Sequence, residues 1–110
     1  MGSRKFTVYW THSAQNDLID IIEYLSLDSN DTAKQKYTLI KNNAIKLGKY
    51  PERGRIVPEL ILYSIENYRE LIISPWRMIY KIEGPTVYII ALFDGRRNFE
   101  DILLRRIIKE

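Results

Sequence analysis

At 110 residues and 45% hydrophobic content, the chain has the size and apolar share of one folded domain, 1–110, and not of a disordered tail. It has no cysteine, which excludes disulfides, thiol catalysis and cysteine zinc sites and fits a reducing cytoplasm; no apolar run reaches membrane-spanning length and no stretch has the pattern of a secretory leader. The formal net charge of +3 is too small to assign a nucleic-acid partner by itself, so the placement of the charges matters more than their sum.

Met1-Gly2-Ser3 has the texture of a cloning remnant and is set aside. "FTVYW" (Phe6 to Trp10) is β-branched and aromatic and predicts a strand. Thr11 or Ser13 then offers a hydroxyl to cap a helix in which Ala14, Leu18, Ile21, Ile22 and Leu25 recur at helical spacing. Asp17, Asp20 and Glu23 are expected on its wet side. After the polar turn "LDSNDTA", Ala33, Tyr37, Ile40, Ala44 and Leu47 form the stripe of a second helix. Gly48 is placed to terminate it in a left-handed conformation, and Pro51 prevents continuation. The short turn makes the two helices an antiparallel hairpin.

"PERGRIVPEL" is a loop rich in Pro, Gly and Arg, and "ILYSI" opens or approaches a strand. Three strands follow, Tyr68–Ile73, Trp76–Glu83 and Thr86–Phe93, separated by the turn signals Ser74-Pro75 and Gly84-Pro85. "NFEDILLRRIIKE" closes the chain as a short amphipathic helix, with Asn98 as cap and Ile102, Leu103 and Ile107 apolar. The order predicts an α+β fold: an N-terminal strand, a helical hairpin packed on a twisted antiparallel sheet of about four strands, and a short C-terminal helix. The second sheet face is expected to be left facing solvent, or something else.

Period-two alternation places Met78, Tyr80 and Ile82 on one face and Arg77, Ile79 and Lys81 on the other. The preceding strand divides into Arg69, Leu71 and Ile73 against Tyr68, Glu70 and Ile72. Because an arginine is costly to bury without a partner, Arg69 and Arg77 are expected on the open face or at its edge. Arg96 and Arg97 leave the last strand nearby, and Arg53 and Arg55 come from the loop after the hairpin. Arginines from three segments would then converge on one concave side, presenting planar forks that match phosphate or carboxylate. Glu70 offers the alternative, a cross-strand partner that makes Arg69 purely structural. Trp76, after Pro75, is expected at a turn, where it either packs or stacks on a base.

Other chemistry is thin. His12 is the only histidine and is expected at the surface or as a cap, so a paired-histidine nuclease is excluded. Ser13, Ser64 and Ser74 have no histidine partner, and Glu59, Glu70, Glu83 and Asp94 are too scattered for a metal cage. No glycine-rich phosphate loop occurs, and no metal or cofactor is expected. What remains is arginine electrostatics, able to stabilise a phosphorane-like transition state, with Tyr68, Tyr80 and Tyr88 as candidate proton carriers.

"VYWTHSAQNDLIDIIEYL", "YPERGRIVPEL", "YRELIISPWRMIYKI", "VYIIALFDGRR" and the closing "LL" together resemble the RelE/ParE superfamily, toxins of type II toxin–antitoxin systems also labelled plasmid stabilisation proteins. The resemblance runs from Val8 to about Leu104. It implies a helical hairpin on a sheet, a cognate antitoxin whose C-terminal segment wraps the toxin, and one of two targets: the ribosome, with cleavage of messenger RNA, or DNA gyrase. It implies Arg69, Arg77 and Arg97 as catalytic if the chain is RelE-like. Arg53, Arg55, Trp76, Lys81 and Arg96 are then candidates for target or antitoxin contact. A RelE-like strand lysine falls at about Leu71 here, and Phe99 and Leu103 occupy the region of the C-terminal tyrosine. These departures tilt the expectation towards a ParE-like gyrase poison. The alternatives are a metal-independent, ribosome-dependent endoribonuclease or a non-toxic module that binds an antitoxin-like peptide.

Overall fold

The computed structural model describes residues 5–109; Met1-Gly2-Ser3 lies outside them. Strand β1 (Thr7–Trp10) runs directly into helix α1 (His12–Ser26). Thr11 makes that junction. Its hydroxyl oxygen accepts from the Ala14 amide at 3.2 Å, capping the helix, and donates to the Ile89 carbonyl at 3.0 Å, tying the helix start to the sheet. Ser29 repeats the device for α2 (Asn30–Lys46), accepting from the Thr32 amide at 3.1 Å. The chain continues through β2 (Arg55–Ile56), the single turn α3 (Pro58–Ile61), β3 (Tyr68–Ile73), β4 (Trp76–Glu83), β5 (Thr86–Asp94) and α4 (Phe99–Lys109).

The sheet has five strands in the order β1-β5-β4-β3-β2. The meander β3-β4-β5 is antiparallel, as its two short turns require, but β1 lies parallel to β5 at the edge. The hairpin between β1 and the meander supplies the long connection that a parallel pair needs. The α+β class and the hairpin-on-sheet arrangement therefore stand, and the sheet is mixed. A bulge in β5 pairs Ile79 with Ala91 but Tyr80 with Ile89, so Ile90 is the extra residue.

One sheet face carries Leu71, Ile73, Met78, Tyr80, Val87 and Ile89 against Ala14, Leu18, Ile40 and Ala44 of the hairpin. The other face is not open. Val57 and Leu60 of the α3 region and Phe99 and Leu103 of α4 cover Tyr68, Ile79, Ile90 and Ala91, giving a second buried cluster. The "PELI" turn and the closing helix are both too short to announce this from periodicity, yet each contributes its apolar residues to the same side.

Three local expectations change. "ILYSI" belongs to α3 and the turn after it and is not a strand. Among the described glycines only Gly84 has a positive φ, so Gly48 does not end α2 in a left-handed conformation. Its value is close approach: the Phe6 amide donates to its carbonyl at 2.7 Å, and a Cβ there would lie 3.0 Å from the Phe6 carbonyl oxygen. Asp17, expected on the wet side of α1, is turned into the structure by partners described below.

Candidate functional site

The arginine question resolves into two faces. Arg69 pairs across the ladder with Tyr80 and so lies on the hairpin side, at its rim. Its guanidinium donates to the Gly54 carbonyl at 2.7 Å and the Glu52 carbonyl at 3.4 Å. Arg77 pairs with Ile72 and points to the opposite side. The expected convergence of Arg69 and Arg77 on one face does not occur, because Arg69 shares the face of its partner Tyr80, whereas Arg77 lies an odd number of residues from Tyr80 in the same strand and takes the other face.

Arg77 is buried, and its guanidinium is the centre of an ion network. Nε donates to Glu70 Oε1 at 2.7 Å, while Nη1 and Nη2 donate to the two oxygens of Glu59 at 2.8 and 2.7 Å. Glu70 is 1% exposed, and its other oxygen accepts from Arg55 Nε at 2.6 Å. The Phe99 ring covers the guanidinium, with its centroid 3.5 Å from Cζ. Gly95 closes the site from the stem side: a Cβ there would lie 2.8 Å from Arg77 Cδ, so this close approach requires glycine. Burial works against the charge on Arg77, but its hydrogen bonds to Glu59 and Glu70 more than offset it and raise the pKa of the guanidinium. The same contact from Arg77 holds the Glu59 carboxyl below its usual value against partial burial. All three guanidinium nitrogens thus face carboxylates, and the network is neutral: two arginines against two glutamates.

The other expected site residues are distributed. Arg55 reaches Glu70 with its side chain 60% exposed. Arg53 is exposed beside Lys49 and Tyr50. Lys81 is half-buried, 3.1 Å from Glu83. Arg96 is engaged by Asp94, accepting at 2.9 and 2.6 Å, and this contact holds the half-buried Asp94 carboxyl at about 2. Trp76 is not an exposed stacking residue; it is buried in the hairpin-side cluster. Tyr80 points into the core, with its hydroxyl donating to the Pro51 carbonyl at 2.7 Å and accepting from the Gly54 amide at 3.0 Å. Burial raises its pKa, so at neutral pH it is a buried phenol and not a proton carrier.

A groove of about 550 Å³ runs between α1 and the end of β5, lined by Ile21, Tyr24, Leu25, Trp76, Asp94 and Arg97 among others. At one end lies a pair that sequence spacing did not reveal. Where β1 stops, β5 would have unpaired backbone groups. Asp17 Oδ2 accepts from the Leu92 amide at 3.0 Å, and Arg106 donates to the Ile90 carbonyl at 2.8 Å. The two side chains also pair with each other at 2.8 Å. They finish the ladder and fasten α4 to α1. Their separation of 89 residues left no local signal. Among the described residues there is no group of three His, Cys, Asp or Glu side chains able to hold a metal.

The family described as the ParE toxin of the type II toxin–antitoxin system parDE matches residues 8–99. The chain belongs to this family. A curated relative, Toxin RelE2 of Caulobacter vibrioides, is 31% identical over 91 residues, covering 82% of this chain and 96% of the relative. Among solved structures, the chain is similar in fold to the chromosomal ParDE system from P. aeruginosa, with a TM-score of 0.67 and 20% identity. That match covers 84% of this chain and 98% of the other. The RelBE2 toxin–antitoxin complex from Mycobacterium tuberculosis gives a TM-score of 0.62 at 18% identity over 84% and 94% of the two chains. This member of the ParE toxin family is a type II toxin–antitoxin toxin of the RelE/ParE superfamily, and its α+β fold is the one these relatives share. No helix among the described residues of the toxin is long and apolar enough to cross a membrane.

Proposed function

We propose that this toxin inhibits growth as a ParE-like poison of DNA gyrase, acting by protein contact in the cytoplasm and restrained by a cognate antitoxin whose C-terminal segment wraps it. The observation that carries the reading is the state of Arg77. Transition-state stabilisation at a phosphate needs preorganised donors aimed at the developing charge. Arg77 instead donates from every guanidinium nitrogen to Glu59 or Glu70, beneath Phe99. Phe99, where the RelE-like pattern has room for a tyrosine, stacks on that arginine and has no proton to exchange. Arg69 is spent on backbone carbonyls, which leaves Arg97 alone of the three expected catalytic arginines. The exposed cations Arg53, Arg55, Arg96 and Arg97 are then contacts for target or antitoxin.

Two assays with the purified toxin test this. Added to gyrase and relaxed plasmid, it should inhibit supercoiling at near-stoichiometric amounts. Primer extension on a translated message should show no cleavage within A-site codons. Full supercoiling at a tenfold excess of toxin, or A-site cleavage abolished by Arg97→Ala, would overturn the proposal in favour of the ribonuclease.

A further inference from the structure

The charges of the helical hairpin are segregated far more than the total of +3 conveys. From Phe6 to Ala33 there are five acidic residues, Asp17, Asp20, Glu23, Asp28 and Asp31, and no Lys or Arg. From Lys34 to Arg55 there are seven basic residues and one acidic residue, Glu52, a net of +6. Five of the seven are the lysines 34, 36, 41, 46 and 49, and none of them enters an ion pair among the described residues. A solvated helix face ordinarily alternates charge signs and satisfies its cations with neighbouring acids. Here the charged residues of α1 are all acidic, and those of α2 after Asp31 in its first turn are all basic.

Two of the five lysines are also held in place, and by rings. Lys41 Nζ lies 5.1 Å from the centroid of Trp10 and 5.9 Å from that of Tyr37, and Lys49 Nζ lies 5.6 Å from Tyr50. A carboxylate partner would cancel the charge. An aromatic partner orients the ammonium group and leaves its protons available to an anion. Lys34 lies seven residues before Lys41, two turns and roughly 10 Å along the same flank at about 1.5 Å per residue, and Lys46 stands at the end of the helix. Beyond Lys46, a shallow depression between Lys49 and Arg53 continues the basic surface.

We infer that the exposed side of α2 and the turn after it, with Lys41 seated between Trp10 and Tyr37, form a contact surface for the phosphate backbone of a nucleic-acid duplex. A convex helix bearing spaced, unneutralised cations suits a rod of regular negative charge, which in a duplex recurs about every 1.7 Å of axis. The acidic α1 would turn the neighbouring surface away from the rod and so set the orientation. Three or four lysine–phosphate contacts supply affinity without sequence preference. The inference is separable from the target reading: the lysines it rests on are not among the cations given to target or antitoxin, and its failure would leave the supercoiling result untouched.

The test is fluorescence polarisation with a labelled duplex of about 20 base pairs, as DNA and as RNA, between about 50 and 200 mM salt. Binding should weaken with a log–log slope of about −3, as three or four released counterions require. Lys34→Gln/Lys41→Gln should reduce the slope by about 2 and weaken binding at least roughly tenfold, because each lysine accounts for one phosphate. Lys34→Gln/Lys49→Gln serves as a second pair should the first perturb the helix by circular dichroism. Arg105→Gln, which removes one charge at an exposed position of α4, should change little. Tighter binding of either duplex supports the surface and identifies its natural source. Duplex binding that is absent, insensitive to salt or equal in the lysine variants would overturn it. So would a poly-glutamate peptide that binds where the duplex does not.

Discussion

Replacing Arg77 with alanine should make the protein markedly less stable, and the structure sets the size of the effect. The substitution leaves Glu70, a carboxylate 1% exposed, with Arg55 as its one remaining charged partner. Removing one member of a buried pair costs about 3–5 kcal/mol, because the other charge stays desolvated. The stack on Phe99 would be lost too, an interaction of about 2 kcal/mol when desolvated. Retention of Arg55 limits the damage, so the expected loss is about 3–5 kcal/mol in all. With a urea slope near 2 kcal/mol per molar, the midpoint should fall by roughly 2 M. Arg69→Ala removes bonds to two carbonyls at the rim and should cost about 1 kcal/mol. Urea titrations of both variants, with Glu70→Ala and Arg77→Ala/Glu70→Ala completing a double-mutant cycle, give the coupling directly. A midpoint for Arg77→Ala no lower than that of Arg69→Ala, with no coupling to Glu70, would refute the network.

Gly54→Ala should lower stability by about 1–3 kcal/mol in the same titration, because its Cβ would lie 2.5 Å from the Glu70 carbonyl oxygen and 2.6 Å from the Tyr80 hydroxyl. Glu59→Gln tests the sign of a pH effect. The folded carboxyl is held below 4.5, so its contribution is present above that pH and is lost as pH falls through the depressed value. The gap in melting temperature between wild type and variant should accordingly be widest at neutral pH and narrow below pH 4.5. In a carboxyl NMR titration Asp94 should ionise at about 2, and in Arg96→Ala it should return towards 3.8. Asp17→Asn should accelerate hydrogen exchange of the Leu92 amide and of α4, since that carboxylate holds both.

The meander was legible because its signals are local: Ser74-Pro75 and Gly84-Pro85 punctuate period-two runs. The hairpin was legible for the same reason, from Thr11, the polar turn "LDSNDTA" and two apolar stripes. The parallel placement of β1 was not, because a four-residue strand carries no mark of its partner. The opposite sheet face was misjudged for want of length. Leu60 from a single turn and Phe99 and Leu103 from an eleven-residue helix cover it, and no window of the sequence joins them. That error carried over to Arg77. Alternation gave its side of the strand correctly, and the rule that a buried arginine needs partners was sound. The partners, Glu59 and Glu70, were both visible as residues, but only the fold brings a loop carboxylate and a neighbouring-strand carboxylate to one guanidinium. Arg69 shows the limit of the pattern itself: its register opposite Tyr80 puts it on the other side of the sheet.

The central claim is that the Arg77 charge holds the fold together and takes no part in the toxin's chemistry. Arg77→Met/Glu70→Leu separates the two roles, since well-packed apolar residues can replace a buried ion pair with little loss of stability. Induced in a growing culture without antitoxin, this variant should arrest growth as the wild-type toxin does. A variant that is folded by circular dichroism, cooperative in urea and harmless to the culture would contradict the account.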